Sequence, residues 1–79
     1  MPVAYTHTPL SQAQLNTCAV WEQQGGAGWS LTTLHHAHQT SQHWSLFANG
    51  QWCGYLFWQT VLDEAELHNI TIAPEFRRN

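Results

Sequence analysis

The chain has 79 residues, 43% of them hydrophobic and only 9% charged, with five tryptophans and a formal net charge of −3. A length of this kind holds one small domain that buries only about 60% of its unfolded surface, and the composition is that of a globular rather than a disordered chain. Arg77 and Arg78 are the only Lys or Arg residues, which argues against a basic nucleic-acid-binding face.

In chain order, Tyr5 to Leu10 reads either as a short first strand or as an extended lead-in. Residues Met1 to Leu10 lack the basic region and apolar run of a signal peptide. Ser11 to Gln24 reads as a helix. Ser11 and Gln14 have capping-box spacing, and Leu15, Cys18 and Ala19 fall on one face. Gly25-Gly26-Ala27-Gly28 ends it, because glycine tolerates the left-handed geometry of a helix stop. Ser30 is a good N-cap for a second helix to about His38, and Trp29 and Leu34 have the spacing of a hydrophobic staple. Gln39 to Gln42 reads as a polar loop.

A hairpin follows. Trp44, Leu46 and Ala48 alternate with Ser45 and Phe47, and Asn49-Gly50 is a strong type I′ turn signal. The return strand is Gln51 to about Val61. Asp63-Glu64-Ala65 turns the chain into a last strand, Glu66 to Ile72, which Pro74 helps to stop. The longest strongly apolar run, Tyr55 to Trp58, is far too short to span a bilayer. In the last strand Leu67 is on one parity, and Ile70 and Ile72 are on the other. Either a β-bulge near His68-Asn69 brings all three to one face, or the strand is buried on both faces. The order β-α-α-β-β-β predicts an α/β (α+β) domain of two helices and an antiparallel sheet of three or four strands.

Several side-chain groups invite a chemical reading. His35 and His38 share a helix face beside His36, but two ligands do not make a metal site. A third would have to come from His43 or a neighbouring chain, and a polar helix surface is the plainer reading. Cys53 near a histidine suggests a thiol nucleophile, yet its place inside an apolar strand favours a buried, inert thiol. With Cys18 it reads as a reduced core thiol of a cytoplasmic protein. Trp44, Trp52 and Trp58 form either a stacking platform or, the favoured reading, part of the sheet core.

The stretch from Glu66 to Asn79 reads as a strand, a stop and a basic turn. It resembles the strand and loop that hold acetyl-coenzyme A (acetyl-CoA) in the GCN5-related N-acetyltransferases (GNAT). There the turn runs Gln/Arg-x-x-Gly-x-Gly/Ala and opens into a helix. Arg77 fits its first position and Arg78-Asn79 the two variable ones, and the glycine would come next. Thr60 to Ile70 is similar to the Val-Leu-Asp-Glu-Ala-x-Leu-x-Asn-Ile run of the bacterial ribosomal-protein-alanine N-acetyltransferases, the RimI type. Trp29-Ser30 fits the Pro-Trp-Ser that opens their second helix, with Ala27-Gly28 in place of Phe-Pro. The resemblance covers most of the chain and is specific over Trp29-Ser30 and Val61 to Asn79.

The resemblance implies the front half of the acyl-CoA N-acyltransferase fold, with residues 1–79 forming one truncated domain. It implies transfer of an acetyl group from acetyl-CoA to a protein N-terminal amine, an alanine of a ribosomal protein, presented as a basic N-terminal peptide. Ile70, Thr71 and Ile72 are then backbone partners of the pantetheine arm, which pairs as an added strand would. Arg77, Arg78 and Asn79 begin the pyrophosphate loop. Trp29 sits where the family lines the acceptor groove, although the helix staple explains it equally well. The RimI-type base, a Glu, and acid, a Tyr, lie beyond the cofactor loop, so no catalytic residue is assigned. Glu66 or His68 could take the base role seen in some other acetyltransferases, but a solvated strand residue is the plainer reading. The chain alone is expected to be inactive and to bind acetyl-CoA weakly. A last strand left uncovered is also a template for pairing with a second copy, so a homo-oligomer is the second expectation.

Overall fold

Asn49 and Gly50 take φ values of 51° and 81°, the paired positive angles of a type I′ turn. This turn closes the central hairpin of the fold. A computed structural model describes residues 2–77. The elements are β1 (Tyr5–Thr8), a 3-10 turn (Gln12–Gln14), α1 (Leu15–Gln23), α2 (Leu31–Thr40), β2 (Gln42–Ala48), β3 (Gln51–Val61), β4 (Glu64–Ile72) and a second 3-10 turn (Pro74–Phe76). The strands form one antiparallel sheet in the order β1-β2-β3-β4. The architecture is the expected α+β one, with four strands. Tyr5–Thr8 is a strand, paired to β2 from Tyr5↔Ala48 to Thr8↔Ser45.

Three boundaries differ from the sequence reading. The first helix is entered through a 3-10 turn, because the Gln14 side chain is held outside the helix. Its Oε1 accepts from the Ser11 N–H at 2.9 Å and from the Ser45 hydroxyl at 2.9 Å. The second helix runs on to Thr40, whose hydroxyl donates to the His36 carbonyl at 2.9 Å, and β2 already begins at Gln42. The last turn lies at Leu62-Asp63, with Leu62 at φ 57°, so β4 begins at Glu64 and pairs it with Val61. The turn is one residue shorter than expected and starts one residue earlier, so pairing begins two residues earlier.

The broken alternation of the last strand resolves as a bulge. Phe57 pairs with Asn69 and Trp58 pairs with Leu67, which leaves His68 as the extra residue. Leu67, Ile70 and Ile72 therefore share the face that turns away from the helices. Tyr55 and Phe57 of β3 point the other way, into a core built with Leu10, Leu15, Cys18, Trp21, Leu34 and Ala37. Both cysteines are buried and free. Burial, with the Glu22 carboxylate nearby, pushes the Cys18 thiol up to about 12.

The tryptophans divide differently from either sequence reading. Trp52 packs against Trp21 with ring centroids 4.4 Å apart and the planes tilted by 44°, on the helix-side core. Trp44 and Trp58 meet edge-on at 5.7 Å on the opposite face, where with Leu56, Ala65 and Leu67 they line a shallow apolar groove of about 310 Å³. The strand bulge opposite Leu46/Phe47 shifts Trp52 out of register with them. Among the described residues no helix is long and apolar enough to cross a membrane.

Gly54 leaves no room for a side chain between β3 and β4. A Cβ there would stand 2.6 Å from the Thr71 carbonyl oxygen and 3.2 Å from the Ile72 Cα. Both are backbone atoms that cannot swing aside. Gly54→Ala is expected to cost about 1–3 kcal/mol, the usual cost of overpacking. Urea denaturation of the two proteins checks it, and an unchanged midpoint would contradict the close approach.

Candidate functional site

Two features meet at the C-terminal half of β4. One is a carboxylate buried beneath the strand, and the other is the row of backbone groups along its edge.

The carboxylate is Glu22, which is 2% exposed. Its Oε1 accepts from the Trp29 N–H at 3.1 Å. Its Oε2 accepts from the Tyr55 hydroxyl, from Asn69 Nδ2 at 2.8 Å and from the Thr71 hydroxyl at 3.0 Å. No described Lys, Arg or His forms an ion pair with it. Burial by itself would raise the pKa of such a group. The hydrogen bonds from Tyr55, the Trp29 amide, Asn69 and Thr71 outweigh burial and hold it below the usual carboxylate value. Tyr55 moves the other way: burial first, then its bond to Glu22, pushes the phenol well above its ordinary range, so the hydroxyl stays protonated and donating.

Sequence reasoning missed Glu22. The signal was spacing, since Glu22 lies four residues after Cys18 and seven after Leu15, on the buried face of α1.

The edge follows from the ladder. The Ala73 N–H donates to the Cys53 carbonyl at 2.8 Å, which makes that position hydrogen-bonded. Antiparallel ladders alternate. Thr71 opposite Tyr55 and Asn69 opposite Phe57 therefore direct their backbone groups at β3. Ile72 opposite Gly54 and Ile70 opposite Leu56 turn theirs outward, and among the described strands β4 is the edge of the sheet. The three residues assigned to the pantetheine strand thus split. Ile70 and Ile72 present backbone groups at the edge, whereas Thr71 spends its backbone on β3 and its hydroxyl on Glu22.

Arg77 leans back over the end of the strand. Its Nε donates to the Ile72 carbonyl at 2.7 Å and its Nη1 donates to the Gln24 carbonyl at the end of α1. Arg78 and Asn79 lie outside the described residues. Trp29 is half-buried, with its ring 5.5 Å from Phe57, and its amide fixed by Glu22. The Ser30 cap is formed, its hydroxyl accepting from the Thr33 N–H at 3.1 Å.

The other candidates lie elsewhere. Glu66 and His68 are on β4, 3.5 Å apart, with Glu66 largely in solvent. His38 and His43 do come together, stacked at 4.2 Å, but a nitrogen of each is taken by the backbone of Leu10. Among the described residues no group of three or more His, Cys, Asp or Glu is placed to hold a metal ion.

Glu22 makes a pH-dependent contribution. Its folded pKa lies below the unfolded glutamate value of about 4.3. The stabilisation is therefore present above about pH 4.3 and is lost as pH falls through the lower folded value. Glu22→Gln is expected to remove this acid-side dependence and to cost about 1–3 kcal/mol for each donor left without an acceptor. Chemical denaturation across an acid-to-neutral pH series checks both. Equal stability of variant and parent at neutral pH would contradict the assignment.

No protein-family model and no curated protein sequence matches the chain. Among solved structures it is similar to the crystal structure of the ribosomal-protein-S18-alanine N-acetyltransferase from Escherichia coli, with a TM-score of 0.74 and 28% sequence identity over 95% of this chain and 50% of that one. The chain thus spans about half the length of the enzyme it matches. Over most of its length it carries a GCN5-related N-acetyltransferase fold of the RimI type.

Proposed function

We propose that this fold serves acetyl transfer from acetyl-CoA to the N-terminal amine of a cytoplasmic protein, an alanine of a ribosomal protein. The observation that carries the proposal is the edge of β4. The outward N–H and carbonyl of Ile70 and the outward N–H of Ile72, whose carbonyl is taken by Arg77, offer an extended amide chain the pairing that an added strand would find. The pantetheine arm of acetyl-CoA is such a chain, and an N–H at this edge would polarise the thioester carbonyl and hold its oxyanion. Arg77 serves the pyrophosphate from its anchored position, with two donor groups committed to carbonyls and its others left for phosphate oxygens. Arg78 and Asn79, outside the described residues, take the next two positions of that motif in the sequence. Trp29 borders the acceptor side, and its amide is held by the same carboxylate that holds Thr71.

The cosubstrate strand is the part of the site that this chain supplies, and no described residue is assigned as the general base. The 79-residue chain therefore binds acetyl-CoA weakly and does not turn over. The test is an amide NMR titration of the chain with acetyl-CoA, run beside a thiol-release assay on an alanine-starting basic peptide. Ile70 and Ile72 amides should shift more than Thr71, with no thiol released above the blank. Shifts confined to other elements would refute the cosubstrate strand, and measurable turnover would refute the inactivity.

A second reading rests on the same strand. Leu67 and Ile70 are 57% and 53% exposed on the edge strand, and apolar edges template pairing. Two-fold antiparallel pairing of β4 with the β4 of a second copy would join two sheets into one. Light scattering should then show dimers at high protein concentration, and a stable monomer there would count against this reading.

A further inference from the structure

We propose that His38 and His43 form a pH-operated latch that holds β1 on the sheet through the backbone of Leu10 and releases it when His43 takes up a proton. Leu10 is the 2%-exposed residue that anchors the link between β1 and α1 in the core. Both of its backbone polar groups end on a histidine. Its N–H donates to His43 Nδ1 at 3.1 Å, and its carbonyl accepts from His38 Nε2 at 2.7 Å. These contacts fix the proton positions. His43 Nδ1 must be bare to accept, so His43 serves only as the neutral ring. His38 carries its proton on Nε2 and keeps its bond whether neutral or charged. The rings stack at 4.2 Å with 16° between their planes, so two positive charges would face each other across that gap.

No described Asp, Glu, Lys or Arg forms an ion pair with either ring. α2 carries no charged residue beyond its histidines, and the Glu22 carboxylate of α1 is taken up by Trp29, Tyr55, Asn69 and Thr71. β3 presents Phe57, edge-on to His43 at 6.2 Å. The 3-10 turn before α1 presents the uncharged Gln14. His7 of β1 lies on the other sheet face, stacked on Trp44 at 4.1 Å. Burial and the neighbouring His38 hold the His43 pKa below the ordinary histidine value.

The sign follows. His43 takes up its proton more readily once the latch is open, so opening binds protons and is favoured as pH falls. When His43 is protonated, the Leu10 N–H loses its acceptor and the stacked rings repel. β1 is the element free to leave. All four of its residues are exposed, and it is an edge strand paired only with β2. Its other tie is at Ala4, whose N–H donates to Asn49 Oδ1 at 3.0 Å and whose carbonyl accepts from the Asn49 N–H at 2.8 Å. Release bares the edge of β2 and the core site of Leu10, while β3 and β4 keep their ladder.

The test is residue-resolved hydrogen exchange on the 79-residue chain from about pH 7.5 to about pH 5, with the imidazole titrations followed in parallel. As pH falls from the ordinary histidine value of about 6.5 toward the lower value of folded His43, protection at Leu10 and the β1 amides should fall by about tenfold per pH unit, while Tyr55, Phe57 and Thr71 amides stay protected. His43→Asn places a non-titrating amide oxygen near the Nδ1 position and should make Leu10 protection independent of pH. Leu10 protection that ignores the titration of His43 would overturn the latch. So would a loss shared equally by β3 and β4, or a pH response that survives in His43→Asn. If that variant does not fold, the comparison of Leu10 with Thr71 in the parent chain decides alone.

Discussion

The fold depends on one buried negative charge. Glu22 sits at 2% exposure with no described cation paired to it, and a charge taken out of water without compensation costs several kcal/mol, on the order of the whole stability of a small domain. Four donors supply the compensation, and they come from three different places: the loop before α2, β3 and β4. The carboxylate is satisfied only when all three are in position at once. It therefore fixes the helix pair and the last two strands relative to each other more tightly than apolar packing would.

That constraint sets how β4 faces outward. Asn69 and Thr71 turn their side chains in to Glu22 and their backbones to β3, which leaves Ile70 and Ile72 to face the edge with theirs. The bulge at His68 brings Leu67 into line with them on the far face. The strand thus has Asn69 and Thr71 tied down on the helix side and the Ile70 backbone and Ile72 N–H at the free edge. The likeness to the alanine N-acetyltransferase structure lies over this same architecture. Arg77 bolts the end of the strand to the end of α1 through two carbonyls, so the basic turn begins from a fixed point.

Much of this was legible in the sequence. Asn49-Gly50 set the hairpin, Ser30 set the second helix, and the parity break between Leu67 and Ile70 already contained the bulge. These are local signals, decided by a few neighbouring residues. The features that escaped are long-range. Glu22 looked like an ordinary polar residue because its partners Tyr55, Asn69 and Thr71 lie 33 to 49 positions away. Trp44 and Trp58 were assigned to the core because alternation does not say which face of a sheet the helices cover. The division of Ile70, Thr71 and Ile72 into edge and ladder needed the register with β3, which no single strand contains.

The account rests on Glu22 remaining ionised inside the protein. A direct measurement is the pH titration of its side-chain carboxyl carbon by NMR in the folded chain. Hydrogen bonding that outweighs burial predicts a midpoint below the ordinary glutamate value of about 4.3. A midpoint above that value would mean that burial wins over the hydrogen bonds, and one above neutral pH would make the group a neutral acid and remove the organising charge.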